Sequence, residues 1–216
     1  RRARAGVCHV RHDRHRCCGG LRVPWSSVCG LAVNPAKHEM RKSARDRRAA
    51  VHGIADPAPA LAELKRRLAA TTGPVSFYWP IRTEIDPRPL MRQLAKSRDI
   101  CLPVTHGRDV PLTFRRWRAG ARMEIDGFGV GIPAIDDPVK PKILVVPMLA
   151  FDENGHRLGY GAGHYDRTLE QLRARGPVIA YGLAYAAQRT DAPLPAEPTD
   201  QPLDAIVTEA GVVVPG

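Results

Sequence analysis

Apolar residues along the chain follow two different spacings, which alternate from about residue 58 onwards. Short continuous apolar runs, such as 143–146 and 178–184, are typical of strands that are buried on both faces of a sheet. Between these runs, apolar residues recur every three or four positions, which is the spacing of one face of a helix. The pattern therefore predicts strands and helices in alternation.

The predicted elements give a fold class. Helices are expected at 36–52, around 61–68, around 90–94 and at 164–175. Strands are expected at 75–79, 100–104, 112–117, 143–146, 178–184, 205–208 and 212–214. Continuous apolar strands that alternate with helices favour a parallel sheet covered on both sides. We predict one α/β domain over residues 34–216, a three-layer α/β/α arrangement with a mostly parallel central sheet.

The first 33 residues differ from the rest. Seven arginines against one aspartate give residues 1–30 a charge of +6, so only +5 of the net +11 belongs to the other 186 residues. Four of the five cysteines lie there, but their spacing lacks the close pairs of a zinc site (Cys8, Cys17, Cys18, Cys29). We interpret residues 1–33 as a disordered extension or a wrongly assigned start of the chain.

The remaining segment has a single cysteine, Cys101, and no apolar run approaches the roughly 18 residues of a membrane span. One cysteine cannot form a disulfide framework, which suits a reducing compartment. We therefore expect a cytoplasmic protein without a membrane partner. The sequence gives no signal of self-association, and we expect a monomer.

Glycines at 159, 161 and 163 follow a buried strand and precede a helix. A loop without side chains lets successive N–H groups converge on an anion, and the helix that follows adds partial positive charge. The spacing fits neither a Walker A loop nor the dinucleotide fingerprint, and a tight turn alone would explain it. In this strand-to-helix position we favour phosphate binding.

The first predicted helix carries a basic stripe at three- and four-residue spacing (Lys37, Arg41, Arg45, Arg48). Three interpretations are open for it. The stripe fits a solvated helix face or a nucleic-acid-binding surface, which the pI near 10 would also suit. It equally fits an enzyme that binds a polyanionic small molecule, including another phosphometabolite enzyme on a related α/β scaffold.

The segment 146–167 resembles the signature of the 5-formyltetrahydrofolate cyclo-ligase family. Its parts are a Pro-x-Leu-Ala-Phe-Asp run at 147–152 and an Arg-Leu-Gly-x-Gly-x-Gly-x-Tyr-Asp-Arg run at 157–167. Further matches stand in family order at Lys37 and Arg41, 78–86, 102–104, 131–133 and Asp204. The resemblance covers residues 37 to about 213.

This resemblance implies an enzyme that converts 5-formyltetrahydrofolate and ATP to 5,10-methenyltetrahydrofolate, ADP and phosphate, through a phosphorylated formyl group. Mg²⁺ would be the cofactor, and no specific nucleic acid would be a partner. The implied ATP-binding residues are Lys37, Arg41, Arg157, Gly159, Tyr160, Gly161, Ala162, Gly163, His164 and Tyr165. The implied folate-binding residues are Trp79, Glu84, Gly161 and Tyr165. Arg157 and Tyr165 would be catalytic, and Asp166 and Asp204 would hold the metal.

The chain departs from the family pattern at several positions. Tyr160 and Ala162 occupy loop positions where some members carry arginine or lysine, and His164 replaces the first of two tyrosines. Val130 stands where an aromatic residue often precedes Gly-Ile-Pro. With fewer cations in the loop, we expect the enzyme to depend more on backbone amides and Mg²⁺ for neutralising phosphate charge.

Overall fold

A seven-stranded sheet forms the centre of the computed structural model, which describes residues 35–215. The expectations for residues 1–33 lie outside the described residues. The helices are α1 (Pro35–Val51), α2 (Ala58–Ala69), α3 (Arg88–Leu94) and α4 (His164–Arg173), with a short 3-10 helix at Ala186–Gln188. The strands are β1 (Val75–Ser76), β2 (Ile100–Val104), β3 (Thr113–Trp117), β4 (Met123–Ile125), β5 (Gly131–Pro133), β6 (Ile143–Pro147), β7 (Ala150–Phe151), β8 (Arg157–Leu158), β9 (Ile179–Leu183), β10 (Ala205–Thr208) and β11 (Gly211–Val213).

The order of the central sheet is β11-β10-β9-β6-β1-β2-β3. The inner strands β10, β9, β6, β1 and β2 are parallel, whereas β11 and β3 pair antiparallel at the two edges. The pairs β4–β5 and β7–β8 form separate two-stranded ribbons. Because the five inner strands run the same way, their carboxyl ends meet at one edge, where open α/β sheets bind ligands.

Helices cover both faces of the sheet. Alternate residues of β6 divide between them: Ile143 and Val145 pack in the cluster that contains α2 and α3, and their neighbours pack in the cluster that contains α4. Leu64 of α2 and Leu169 of α4 are fully buried. The three-layer α/β fold with a mostly parallel sheet is therefore confirmed, and residues 35–215 contact one another as one unit.

The strand predicted at 75–79 is shorter in the structure. Only Val75 and Ser76 pair in the ladder, and the chain leaves the sheet after Phe77. The Tyr78 hydroxyl donates to the Ile85 carbonyl at 2.7 Å, which closes the intervening residues into a loop at the carboxyl edge. An apolar run predicts a strand, but this tertiary hydrogen bond ends it early and builds part of the site.

The ribbon β7–β8 is fixed by Asp152, whose side chain is 1% exposed. One carboxylate oxygen accepts the N–H groups of Asn154 and His156, both at 3.0 Å, and the other accepts the Leu194 N–H at 2.9 Å. Burial raises the pKa of Asp152, but these hydrogen bonds and His156 outweigh it and hold the pKa below its usual value. The ribbon leads directly into the glycine loop, so Asp152 also fixes where that loop begins.

We expect Asp152→Asn to lower the free energy of unfolding by about 1–3 kcal/mol at pH 7, because an amide nitrogen would face N–H donors. A carboxyl pKa that is lower in the folded state stabilises the fold above the unfolded value of about 3.9 and loses this effect as the pH falls through the folded value. Urea unfolding should therefore show the largest difference from the wild type at pH 7 and a shrinking one below about pH 4.

Glu153→Gln is the matched control, because the neighbouring Glu153 side chain is 70% exposed. It should change stability by no more than about 0.5 kcal/mol. An Asp152→Asn effect as small as that of the control would contradict the assigned role.

Candidate active site

The glycine loop, residues 159–163, connects β8 to α4 at the carboxyl edge of the sheet. Gly161 and Gly163 have φ angles of +99° and +63°, in the left-handed region that favours glycine. Gly163 is the N-cap of α4, and no side chain caps the first turn of that helix. The amide groups of that turn are therefore available to an anion, as the strand-glycine-helix pattern predicts.

Helix α1 brings two basic side chains to this loop. The Arg41 Nε donates to the Gly159 carbonyl at 3.1 Å, and the Arg41 guanidinium packs against Gly161, where an added Cβ would lie 3.0 Å from Cζ. The Lys37 ammonium, one turn away, forms an ion pair with Glu197. This pair lowers the pKa of Glu197. The structure thus brings Arg41 to the loop, whereas Lys37, one helical turn before it, is held by Glu197.

Arg157 lies behind the loop with a side chain only 6% exposed. It donates to the Asp166 carboxylate and to the Gln201 carbonyl, while the Gln201 N–H donates to the same Asp166 oxygen at 3.0 Å. Burial lowers the pKa of Arg157, and the charges of Asp166 and Asp200 oppose this shift. One arginine and two aspartates (Arg157, Asp166 and Asp200) therefore lie together beside the first turn of α4.

Asp204 is located elsewhere. It precedes β10, and one of its carboxylate oxygens accepts the Ala180 N–H at 2.7 Å and contacts Arg173 at 3.3 Å. Ala180 stands near the start of β9 and Arg173 ends α4, so Asp204 lies at the amino edge of the sheet. The structure does not bring Asp204 and Asp166 together, and their joint metal site stays a prediction. The carboxylate that lies near Asp166 is Asp200, which sequence reasoning missed.

The carboxylate of Glu84 is buried beside the glycine loop, with the residue 5% exposed. The Tyr160 hydroxyl donates to its Oε1 at 2.8 Å, and the Ile81 N–H donates to Oε2 at 2.9 Å. The Arg48 guanidinium lies 3.5 Å from Oε1. Burial raises the pKa of Glu84, and these three partners counteract the shift. The folate residue implied by the family resemblance is therefore in direct contact with the implied phosphate loop.

Arg48 is the second residue that sequence reasoning missed as part of the site. It is 1% exposed, and besides Glu84 it donates to Thr83 Oγ1 and to the Tyr160 hydroxyl, both at 3.0 Å. The only signal for Arg48 in the sequence is its place in the basic stripe of α1. That signal does not separate it from Arg41, which contacts Gly159, or from Lys37, which pairs with Glu197.

Tyr165 and Trp79 are both partly buried. Tyr165 packs against the apolar cluster on the α4 face of the sheet. Burial raises the pKa of Tyr165, the charge of Glu84 raises it further, and the charge of Arg157 lowers it. The Trp79 ring is half-buried, with the Arg88 guanidinium 5.1 Å from its centroid. Gly131 packs against the indole so closely that a Cβ there would lie 2.7 Å from Cδ1. Packing thus accounts for much of the Trp79 environment.

Ala162 and His164, the remaining predicted site residues of this segment, contact different neighbours. The Ala162 carbonyl accepts from Arg167 at 2.7 Å, and His164 Nδ1 lies 3.1 Å from the Val110 carbonyl. Phe128 packs edge-on against the His164 ring, with 5.8 Å between centroids. His164 is therefore held by neighbouring loops at the start of α4.

A comparison with protein families identifies the chain. The model of the 5-formyltetrahydrofolate cyclo-ligase family matches residues 33–209. The chain belongs to this family. Cyclo-ligases are ligases, so the predicted enzyme class is confirmed along with the resemblance.

Curated cyclo-ligases are similar over most of their length. The 5-formyltetrahydrofolate cyclo-ligase of Haemophilus influenzae is 34% identical over 140 residues, which cover 60% of this chain and 72% of that protein. The one from Escherichia coli is 36% identical over 147 residues, or 64% of this chain and 79% of that protein.

Solved structures share the cyclo-ligase fold. The NMR structure of Aquifex aeolicus 5,10-methenyltetrahydrofolate synthetase superposes with a TM-score of 0.65 at 28% identity, over 82% of this chain and 92% of that one. A Mycoplasma pneumoniae synthetase gives 0.60 at 21% identity over 80% and 98%, which supports the fold alone.

Within residues 35–215, no helix is both long and apolar enough to cross a membrane. Nor do three or more histidine, cysteine or acidic side chains in that range group together as a preformed metal site. A metal bound here would take one or two carboxylates and complete its shell with ligand oxygens and water, as Mg²⁺ does.

We expect Arg48→Met to lower the free energy of unfolding by about 3–5 kcal/mol, because it leaves the buried Glu84 without its cationic partner. Adding Glu84→Gln should recover much of this loss, since no unpaired charge would remain. Lys42→Met, at an exposed position of the same helix, should cost no more than about 0.5 kcal/mol. Urea unfolding of the wild type, the single variants Arg48→Met and Glu84→Gln, and the double variant measures the coupling. An Arg48→Met cost equal to that of Lys42→Met would contradict the pairing.

Proposed function

We propose that the protein converts 5-formyltetrahydrofolate to 5,10-methenyltetrahydrofolate, using ATP with Mg²⁺ and releasing ADP and phosphate. One observation carries this proposal: Tyr160, inside the glycine loop, hydrogen-bonds Glu84 at 2.8 Å. The anion-binding loop and the buried carboxylate are therefore neighbours. Transfer of a phosphoryl group from one substrate to another requires such adjacency.

The chemistry explains why ATP would be needed. The formyl oxygen of 5-formyltetrahydrofolate attacks the γ-phosphorus of ATP, ADP leaves, and an imidate-phosphate forms at N5. The N10 nitrogen then attacks the formyl carbon, loses its proton, and phosphate departs with the oxygen. Oxygen leaves readily as phosphate but poorly as hydroxide. The protein mainly has to align the two substrates and neutralise phosphate charge.

In this mechanism Lys37, Arg41, Arg157 and the amides of residues 159–163 hold the triphosphate. An arriving phosphate has to replace the Glu197 carboxylate on Lys37, an exchange of one anion for another. Arg157 also stabilises charge on the transferring phosphoryl group, and Tyr165 lines the position between the two substrates. The charges of Glu84 and Arg157 both act on the pKa of Tyr165, which supports its role beside them.

Glu84 binds the folate through its carboxylate, which matches the paired N–H donors of a pterin ring. The Ile81 N–H and Arg48 keep the carboxylate oriented toward the loop. Trp79 contributes a wall of the folate pocket, although its packing against Gly131 leaves only part of the ring for that contact.

The carboxylates present fit Mg²⁺ at one place. Asp166 is 25% exposed and uses Oδ1 for its hydrogen bonds with Arg157 and Gln201, and the Asp200 charge acts on the same arginine. We propose Asp166 and Asp200 as the protein ligands, with Asp204 as the alternative second ligand. Bound Mg²⁺ would neutralise charge on the phosphate oxygens.

Nucleic-acid binding by the basic stripe is the weaker candidate. Arg48 is buried, Lys37 is 12% exposed in its ion pair, and Arg41 packs on the glycine loop. Three of the four stripe residues are thus held by other parts of the protein rather than presented on a flat basic surface. The monomeric state and the cytoplasmic location stay predictions.

The direct test mixes the purified protein with 5-formyltetrahydrofolate, ATP and Mg²⁺ and follows the methenyl absorbance. We expect product only when all three are present, and a roughly hundredfold lower kcat/KM in Asp166→Asn, because phosphate charge loses its compensation. Glu170→Gln, an exposed change on the same helix, should keep the wild-type rate. A folded protein that forms no product with the complete mixture would sink the proposed function.

A second experiment decides between the two candidate metal ligands. We expect Asp200→Asn to raise the Mg²⁺ concentration for half-maximal rate by about tenfold. Asp204→Asn should leave that concentration within about twofold and cost about 1 kcal/mol of stability, because it disturbs the hydrogen bond to Ala180. The reverse pattern in Mg²⁺ titrations would assign the metal to Asp204.

A further inference from the structure

Tyr160 closes the site that the folate is proposed to use. Glu84 is 5% exposed, so a ligand cannot reach its carboxylate unless one of its present partners moves. Arg48 is 1% exposed, and the Ile81 N–H belongs to the loop that carries Glu84 itself. Tyr160 is 38% exposed and is the most accessible of the three partners. The tyrosine is therefore the group that can leave.

The hydrogen bonds of Tyr160 show what holds it in place. Its hydroxyl donates to Glu84 at 2.8 Å and accepts from Arg48 Nη2 at 3.0 Å. The Arg48 guanidinium also lies 5.8 Å from the centre of the phenol ring. Both hydrogen bonds have a charged partner, which makes them stronger than neutral ones. When Tyr160 leaves, Arg48 and Glu84 still face each other, so the carboxylate stays compensated.

Movement of Tyr160 would change the glycine loop on either side of it. The preceding Gly159 carbonyl accepts from Arg41, and Gly161 packs against the same guanidinium. Glycines on both sides give the backbone the freedom to reorient the tyrosine. A change that begins at Glu84 therefore reaches the amides and the arginine that face the triphosphate.

We propose that Tyr160 is a gate over Glu84: it covers the carboxylate in the free protein, leaves when the folate substrate binds, and thereby couples folate binding to the conformation of the glycine loop. This proposal rests on the proposed function, because it takes Glu84 as the folate anchor. Tyr160 acts here as a positioning residue and takes no part in phosphoryl transfer.

The test is the affinity of Tyr160→Phe for 5-formyltetrahydrofolate, measured by calorimetric titration without ATP. The wild type has to break the Tyr160 hydrogen bonds before it binds, whereas the variant has none to break. We expect the variant to bind about tenfold more tightly. Tyr181→Phe is the matched control, because Tyr181 is a tyrosine of β9 outside the site, and its affinity should equal that of the wild type.

A second measurement uses the wild type alone and so does not depend on how the variant folds. Nitration of Tyr160 by tetranitromethane, followed by peptide mass spectrometry, should become at least several-fold faster when 5-formyltetrahydrofolate is added without ATP, because the phenol leaves Glu84 and Arg48 for solvent. Unchanged or slower nitration in a protein saturated with folate would overturn the gate.

The outcomes separate this proposal from the proposed function. A wild type that binds 5-formyltetrahydrofolate, together with a Tyr160→Phe affinity that is equal or weaker, overturns the gate and leaves the proposed function intact. A weaker affinity would identify Tyr160 as a direct folate contact. A wild type that does not bind 5-formyltetrahydrofolate at all overturns the proposed function, and the gate with it.

Discussion

The arrangement of the site depends on one buried ion pair, between Glu84 and Arg48. A carboxylate with 5% exposure is tolerated in a protein only when other groups replace the water it has lost. Here the replacements come from three separate segments: α1 supplies Arg48, the loop after β1 supplies the Ile81 N–H, and the glycine loop supplies Tyr160. Satisfying one charge therefore fixes the relative positions of all three segments.

This constraint gives α1 two functions along its length. Its first turns carry Lys37, which pairs with Glu197, and Arg41, which contacts the glycine loop. Arg48 neutralises Glu84 about 16 Å beyond Lys37 and about 10 Å beyond Arg41, at about 1.5 Å per residue. Ala44, fully buried between them, lets the helix pack closely against the β7–β8 ribbon. Because the ion pair fixes one end of the helix, Lys37 and Arg41, the proposed phosphate-binding residues at the other end, are placed with little freedom.

The sequence predicted the elements whose signals are local. The apolar run of β6, the period of α4 and the glycines at 161 and 163 each follow from a few consecutive residues, and the structure has them within one or two residues of the predicted bounds. Long-range contacts were not predictable in this way. Arg48 has the same spacing as Lys37 and Arg41, and only the fold shows that its partner lies 36 positions away.

The same reason explains what sequence reasoning missed at the proposed metal site. Asp200 and Asp204 stand four residues apart in a proline-rich segment, and nothing local distinguishes them. What distinguishes them is the course of the chain. The segment follows α4 from its first turn to its end, so Gln201 contacts Asp166 near the loop while Asp204 contacts Ala180 at the opposite edge of the sheet. Packing of the segment against α4 is a tertiary contact that local sequence does not reveal.

The charges of the site also bear on the form in which ATP would bind. The loop has Tyr160 and Ala162 where some family members carry a cation, and Arg157 is already paired with Asp166. A bare triphosphate would therefore meet two carboxylates, those of Asp166 and Asp200, and only Arg41, Lys37 once it leaves Glu197, and the already paired Arg157 would offset them. Mg²⁺ bound to the triphosphate removes this conflict, because it gives both carboxylates a positive partner. In this chain the metal would be a condition for nucleotide binding as well as for phosphoryl transfer.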